Sequence, residues 1–414
     1  MEDQPGLERR LNTADAVVIG LGSMIGAGVF SAFGPAARAA GASLLIGLGL
    51  AAAIAYCNAT ASAQLAAVYP TSGGTYIYGR ERLGPWWGFI AGWGFVVGKT
   101  ASCAAMALTV ATYAVPGPVW AQRVIAVAAV VALIAMNYRG VTKTALLARI
   151  LLTCTLIALA AVVIGIAVAK PTPHPLHWSN GTVYGVLQSA GLLFFAFAGY
   201  ARIATMGEEV RDPARTIPRA ITVALAIAVA IYLAVGVAAL LAAGPDRLAH
   251  ATAPLAEAVR AAGVPSLLPA ITVGAVLASL GALLALIAGL GRTVLAMARH
   301  GDLPAWLAEV HPRYRVPHHA EIALGLVVCF LVATVDLRGV IGFSSFGVLI
   351  YYAIANASAY TLPTAGRRGR VRDIFGVVGC VLLVATLPWQ SVIAGFVAFA
   401  IGIAGRAFRV RPRG

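Results

Sequence analysis

Long apolar stretches, most of them about 20 residues or more, occur twelve times in this sequence. An apolar helix of about 20 residues crosses the hydrocarbon core of a bilayer. We therefore predict an all-α polytopic membrane protein with about 12 transmembrane helices. The predicted spans 1 to 12 are 15–38, 42–68, 86–113, 121–138, 145–169, 183–206, 217–243, 264–297, 320–336, 339–362, 373–387 and 389–405. Little more than Pro388 separates the last two, so eleven spans with a re-entrant hairpin is the alternative.

The composition excludes several other classes of protein. Only 11% of the residues are charged and 60% are apolar. Soluble domains carry about 25% charged residues, and a soluble surface with so few charges would expose very large apolar patches. A soluble enzyme, a disordered chain and a nucleic-acid-binding protein are therefore not expected.

The basic residues are distributed unequally across the predicted membrane. One set of loops and ends carries 22 Lys and Arg residues, and the opposite set carries 6. Because cytoplasmic loops collect Lys and Arg, this bias predicts a multi-pass protein of the cytoplasmic membrane with both termini in the cytoplasm. The bias also explains the net charge of +15 without a nucleic-acid partner, and the lipid bilayer is the expected surrounding.

No site for a metal, a cofactor or an enzymatic reaction is apparent in the sequence. The five cysteines all fall inside apolar stretches and form no C-x-x-C pair, which argues against a disulfide framework or a metal site. An intramembrane enzyme would need paired acids, an H-E-x-x-H motif or a Ser–His arrangement at depth. The loops are too short to hold an extra domain, so the function must be built from the helices.

Span 1 contains a cluster of glycines. Gly20, Gly22, Gly26 and Gly28 lie within nine residues, and Ser23 lies between them. One interpretation is close helix packing, since Gly22 and Gly26 form a G-x-x-x-G motif. The other is an unwound segment, because glycine lowers the cost of leaving the helix. Exposed backbone at membrane depth is tolerated only where it lines a cavity.

Span 6 has a matching feature. Gly199 lies at mid-depth and is followed by polar residues. Paired glycine-interrupted helices in two halves of a chain are the best sequence indication of a transporter substrate site. This pattern divides the chain into a cytoplasmic N-terminus (1–14), a first inverted repeat of spans 1–5 (15–169), a second of spans 6–10 (183–362), two further helices (373–405) and a basic cytoplasmic tail (406–414).

Five motifs carry a specific likeness to a known family. They are Gly-Ser-Met-Ile-Gly-Ala-Gly-Val-Phe (22–30), Tyr-Pro-Thr-Ser-Gly-Gly-Thr-Tyr-Ile-Tyr (69–78), Leu-Gly-Pro-Trp-Trp-Gly-Phe-Ile-Ala-Gly-Trp (83–93), Phe-Phe-Ala-Phe-Ala-Gly-Tyr (194–200) with Glu-Glu-Val-Arg-Asp-Pro-Ala-Arg-Thr-Ile-Pro-Arg-Ala-Ile (208–221), and Met-Ala-Arg-His-Gly-Asp-Leu-Pro (297–304). Through these motifs the chain resembles the amino acid–polyamine–organocation (APC) superfamily of transporters over nearly its whole length.

The resemblance implies a secondary active transporter that carries an amino acid by alternating access. It implies that backbone N–H groups at the span 1 interruption receive the substrate carboxylate and that carbonyls at both interruptions receive its amino group. Aromatic side chains at the span 6 interruption would act as gates. The implied substrate-binding residues are Ser23, Ile25, Gly26, Ala27, Gly28, Phe197, Ala198, Gly199 and Tyr200.

The resemblance also implies a region for a coupling cation, either H⁺ or Na⁺, between spans 1, 5 and 8. Some relatives place a lysine on span 5, but this chain has Thr155 at that position. Ser279 on span 8 could serve a sodium-like site or could simply pack between helices. Coupling through a span 5 lysine is therefore not expected here.

Two basic residues, Lys99 and Arg202, belong to neither of the two sets counted above and lie inside spans. Lys99 lies near the middle of span 3, where a charge is costly and usually faces a cavity or a partner. The hypothesis is that Lys99 replaces the coupling cation or the span 5 lysine; the alternative is that it snorkels to the interface. Arg202 follows Gly199 by three residues and could pair with Glu208 or Glu209 in a cytoplasmic gate, border the substrate path, or snorkel.

Alternatives within transport are an amine or polyamine carrier and an amino acid exchanger. The lack of an acid in mid-span argues against a dicationic substrate. A different class, a channel or a non-transporting membrane scaffold, is disfavoured by the two interrupted helices. The small-molecule substrate is the predicted partner, and the sequence leaves the oligomeric state open.

Overall fold

Each of the twelve predicted spans coincides with helix in the structure. The computed structural model describes residues 11–69, 73–139, 145–171, 181–204, 206, 209–363 and 366–410. The helices are α1 (Thr13–Met24), α2 (Ala27–Ser31), α3 (Phe33–Ala40), α4 (Leu44–Val68), α5 (Gly74–Leu83), α6 (Pro85–Ala114), α7 (Val119–Tyr138), α8 (Ala145–Ala169), α9 (Val183–Phe197), α10 (Ala201–Ala204), α11 (Pro213–His250), α12 (Pro254–Ala261), α13 (Leu268–Arg299), α14 (His318–Thr334), α15 (Leu337–Tyr360), α16 (Arg367–Thr386) and α17 (Trp389–Val410).

Ten helical segments of the described chain are long and apolar enough to cross a membrane. Two further helices occupy predicted spans: α14, which has 17 residues, and α16, which begins with several charged residues. The described residues contain no β-strand, only an isolated bridge between Leu11 and Val210. The predicted all-α polytopic membrane fold is confirmed.

The structure differs from the prediction at the ends and in the loops. Helix α16 begins six residues before predicted span 11 and has 20 residues of its own, and α17 has 22. Only Leu387 and Pro388 separate the two helices, and the choice between twelve spans and eleven spans with a re-entrant hairpin stays a prediction. Two short helices that the span prediction missed, α5 and α12, lie in the loops after spans 2 and 7. Helix α11 has non-helical backbone at Gly244, where predicted span 7 ends.

The helices divide into an inner and an outer set. Helix α6 lies at the centre, packed against α13 and α15. Nearly all residues in its apolar, membrane-length part are buried. Helices α7 and α17 instead expose large apolar side chains such as Trp120, Val131, Phe396 and Ile401. Apolar side chains on an outer helix suit contact with lipid, and the buried centre of the bundle is where a site would lie.

A buried charge cluster joins several helices of the bundle. The Asp302 carboxylate, after α13, accepts hydrogen bonds from the Tyr76 hydroxyl at 2.7 Å and the Arg406 Nε at 2.7 Å, and Arg80 lies at 3.2 Å. The Arg406 guanidinium also lies 4.3 Å from the centre of the Trp86 ring, a cation–π contact. The cluster thereby joins α5, α6, α13 and α17.

Candidate functional site

Both predicted interruptions are present in the structure. Helix α1 ends at Met24, residues Ile25 and Gly26 have non-helical dihedral angles, and helix resumes at Ala27. Helix α9 ends at Phe197, passes through one 3₁₀ turn (Ala198–Tyr200) and continues as α10. A helix end can leave backbone carbonyls and N–H groups without partners in its own helix, so both places can offer backbone groups to other residues or to a ligand.

The two interruptions touch each other through glycines. A Cβ atom at position 199 would overlap the Ser23 carbonyl and lie 2.5 Å from the Met24 nitrogen. At position 28, a Cβ atom would lie 2.5 Å from the Ala196 Cα. Only glycine allows such close backbone approach. Gly28 and Gly199 therefore lie beside interruptions and also pack helices together, whereas a Cβ atom at Gly22 would meet nothing within 4 Å, so Gly22 does not make the close contact that a G-x-x-x-G motif implies.

Tyr232 of α11 satisfies carbonyls of both interrupted helices. Its hydroxyl lies 2.7 Å from the Met24 oxygen and 2.9 Å from the Ala196 oxygen. Its ring also packs against Phe197, with ring centres 5.0 Å apart. The sequence gives no sign of this contact, because nothing in an apolar helix marks which tyrosine faces a distant carbonyl.

We predict that Tyr232→Phe destabilises the protein by about 1–3 kcal/mol, the usual cost of leaving buried polar groups unsatisfied. The reason is that two buried carbonyls lose one shared donor. The free energy of unfolding in an SDS titration measures the effect. Tyr56→Phe is the matched control, since Tyr56 is 48% exposed, and an equal loss in both variants would contradict the prediction.

A cavity of about 250 Å³ lies where the interruptions meet. It extends between α6 and α13, and at one end it reaches residue 209, which is held beside Leu11 by a backbone hydrogen bond of 3.1 Å. The lining residues are Ser23, Gly73, Tyr76, Phe95, Lys99, Met106, Ala198, Gly199, Ala201, Arg202, Glu209, Ala282, Ala285, Leu286, Gly289, Arg292, Thr293 and Ala296.

Three of the nine predicted substrate-binding residues line this cavity, namely Ser23, Ala198 and Gly199. The other six are buried in the packing around the interruptions and do not line it. They are Ile25, Gly26, Ala27, Gly28, Phe197 and Tyr200. The Tyr200 ring packs on Tyr352 of α15, with ring centres 4.9 Å apart. The roles predicted for all nine residues stay predictions.

Lys99 points into the centre of the protein. Its side chain is buried, and its Nζ donates a hydrogen bond of 3.0 Å to the Ala198 carbonyl at the second interruption. The Tyr352 hydroxyl lies 3.4 Å from the same oxygen. Lys99 therefore does not snorkel to the membrane interface. A cation beside the last carbonyls of a helix is favoured by the helix dipole, and Lys99 occupies such a place at the end of α9.

Arg202 and Glu209 form an ion pair beside the cavity. The guanidinium lies 3.1 Å from one carboxylate oxygen of Glu209 and 3.5 Å from the other. Glu208, the second predicted gate residue, lies outside the described residues. Arg292 of α13 also lines the cavity, although the sequence analysis counted it only among the basic residues of the cytoplasmic side. Of the two acids predicted for the gate, the structure thus places Glu209 against Arg202.

Besides Lys99, the candidates for the coupling-cation site are Thr155 and Ser279, and these two differ in whether their hydroxyl is already hydrogen-bonded. The Thr155 hydroxyl donates to the Leu151 carbonyl of its own helix at 2.8 Å. The Ser279 hydroxyl is buried and has no hydrogen-bond partner among the described residues. Their helices, α8 and α13, pack together. Ser279 is therefore the one of the two with an unused hydroxyl, and a role for either in coupling stays a prediction.

Comparison with known proteins places this chain among amino acid transporters. The amino acid permease family matches residues 11–407. An uncharacterised transporter of Mycobacterium tuberculosis is 59% identical over 407 residues, covering 97% of this chain and 92% of the relative. A branched-chain amino acid permease of Bacillus subtilis is 26% identical over 433 residues, covering 97% of this chain and 92% of the relative.

Another relative is named for transport of a different class of amino acid. Cationic amino acid transporter 4 of Homo sapiens is 28% identical over 388 residues, covering 87% of this chain and 60% of the relative. The family match over almost the whole chain agrees with the long apolar helices. The chain belongs to the amino acid permease family, within the APC superfamily, and is a multi-pass membrane transporter of amino acids or related organic cations.

Proposed function

We propose that the protein is a secondary active transporter that carries an amino acid across the cytoplasmic membrane by alternating access. The cavity at the meeting point of the two interrupted helices is the observation that carries this proposal. A zwitterion leaving water needs charge-assisted hydrogen bonds at both ends. Interrupted helices supply backbone partners for both without many charged side chains.

In this proposal the described conformation faces the cytoplasm. The cavity reaches Glu209 and Arg202, on the side that the distribution of basic residues assigns to the cytoplasm. Towards the opposite side, the Tyr113 hydroxyl joins three elements. It donates to the Phe30 carbonyl at 2.8 Å and accepts from the Leu255 N–H at 3.2 Å. Alternating access would open these contacts while the Arg202–Glu209 end closes.

The proposed arrangement of the chain remains two inverted repeats, spans 1–5 and 6–10. The support is that the first span of each half is interrupted, at Ile25–Gly26 and at Ala198–Tyr200. This arrangement permits two sources of energy for transport. One is coupling to H⁺ or Na⁺, for which Ser279 has an available hydroxyl. The other is exchange of one amino acid for another.

Uptake into liposomes tests the proposal. We expect the purified full-length protein to accumulate at least one radiolabelled amino acid with saturable kinetics, faster than protein-free liposomes. Uptake driven by an imposed H⁺ or Na⁺ gradient would identify coupling, and uptake that requires internal amino acid would identify exchange.

Two outcomes would overturn the amino acid assignment. Saturable uptake of putrescine or spermidine without uptake of any amino acid would favour the amine or polyamine carrier. Non-saturable conduction, or no flux of any tested compound by folded protein, would favour the channel or the scaffold.

A further inference from the structure

The second interruption already holds a positive charge. Lys99 donates its hydrogen bond to the Ala198 carbonyl and also lines the cavity. That carbonyl is one of those expected to receive the amino group of an amino acid. A substrate ammonium placed there would meet the Lys99 ammonium at short range, and like charges in a cavity of low dielectric constant repel strongly. Lys99 is therefore placed to attract a negatively charged group instead.

The balance of the other charged residues in the cavity also favours a negatively charged ligand. Among the described lining residues, Lys99, Arg202 and Arg292 are basic and Glu209 is the only acid. The Glu209 carboxylate is paired with Arg202 at 3.1 Å. The described cavity wall thus carries more positive than negative charge. A low-dielectric cleft lined by one sign of charge attracts ligands of the opposite sign.

We propose that the substrates of this transporter are amino acids with a net negative charge, such as glutamate and aspartate. One substrate carboxylate binds the Lys99 ammonium through a charge-assisted hydrogen bond, which is stronger than a neutral one, and the substrate ammonium binds carbonyls of the first interruption instead of the Ala198 carbonyl. Lys99 is then a residue that determines substrate charge. The inference rests on the proposed function, since it names the class of amino acid that the same cavity takes.

The amides glutamine and asparagine are the decisive comparison, since they match the acids in size and lack only the negative charge. In liposomes with the full-length protein, we expect unlabelled glutamate or aspartate to inhibit uptake of labelled substrate at concentrations at least tenfold lower than the matching amide. Lysine should be the weakest competitor. Preference for an amide or for lysine over the acids would overturn the inference.

Lys99→Met tests whether Lys99 sets the preference, because methionine keeps the length of the side chain without its charge. We expect this variant to reduce the ratio of glutamate to glutamine affinity at least tenfold. Lys170→Met is the matched control, since Lys170 is exposed at the end of α8, and it should leave the ratio unchanged. An unchanged ratio in Lys99→Met would overturn the role of Lys99.

A binding measurement keeps the test decisive if Lys99→Met is folded but does not transport. The rise in thermal unfolding temperature caused by glutamate and by glutamine, measured in detergent, reports binding alone. We expect glutamate to stabilise the wild-type protein more than glutamine does, and the two to act equally on Lys99→Met. Uptake of neutral amino acids without charge preference would refute this inference but not the proposed function, whereas no uptake or binding of any amino acid would refute both.

Discussion

Replacing Gly199 with alanine is expected to reduce transport at least tenfold and to destabilise the protein. A Cβ atom at this position would overlap the Ser23 carbonyl and approach the Met24 nitrogen, so backbone rather than a flexible side chain must move. Overpacking a tight contact costs about 1–3 kcal/mol. The displaced atoms belong to both interruptions, so the change would distort the cavity as well as the packing. Uptake in liposomes and the free energy of unfolding measure the two effects.

Gly22→Ala is the matched control for this experiment. Gly22 lies in α1, close in sequence to the same interruption, and a Cβ atom there would meet nothing within 4 Å. Since alanine favours a helix over glycine by about 1 kcal/mol, this variant should be as stable as the wild type or slightly more stable, with normal uptake. Normal uptake by Gly199→Ala would show that the contact between the interruptions is not needed.

The second large effect is expected for Asp302→Asn. The Asp302 carboxylate is buried and pairs with the buried Arg406 at 2.7 Å. Removing one partner of a buried ion pair leaves the other charge uncompensated, which costs about 3–5 kcal/mol. Arg80 and Tyr76 lose their contact with the same carboxylate. We expect a loss of stability of this size in an SDS unfolding titration.

Asp212→Asn makes the same chemical change at an exposed site. Asp212 lies 3.8 Å from Arg215, and its side chain is 57% exposed. Exposed ion pairs contribute about 0–1 kcal/mol, and asparagine tolerates the left-handed backbone conformation found at position 212. The control should therefore change stability by less than 1 kcal/mol. If Asp302→Asn and Asp212→Asn lost similar amounts of stability, burial of the Asp302 ion pair would not be the reason that it stabilises the protein.

The spans could be predicted from sequence because membrane thickness fixes the length of an apolar helix. The interruptions could be predicted because glycines cluster around Ser23 in span 1 and because Gly199, at mid-depth in span 6, is followed by polar residues. The short helices α5 and α12 could not, because a criterion of about 20 apolar residues excludes them. The Asp302 cluster was missed for a different reason, since its members lie far apart in sequence and belong to loops and helix ends.

The site was predictable in part. Ser23, Ala198 and Gly199 line the cavity as the interrupted helices suggest. Phe197 and Tyr200 do not, because their side chains pack against Tyr232 and Tyr352. The direction of Lys99 could not be read from sequence, because α6 is apolar around its whole circumference and no face is marked as inward. Only the fold shows that its ammonium reaches a carbonyl 99 residues away.

The pairing of Asp302 with Arg406 has a consequence for how the protein is made. Arg406 follows Asp302 by 104 residues, and ribosomes add roughly 5–20 residues per second. Asp302 therefore emerges well before its partner on the last helix, and the growing chain holds an incompletely paired carboxylate until α17 is inserted. The buried carboxylate acquires its buried partner only when α17 is in place, so insertion of the last helix completes the packing around Asp302.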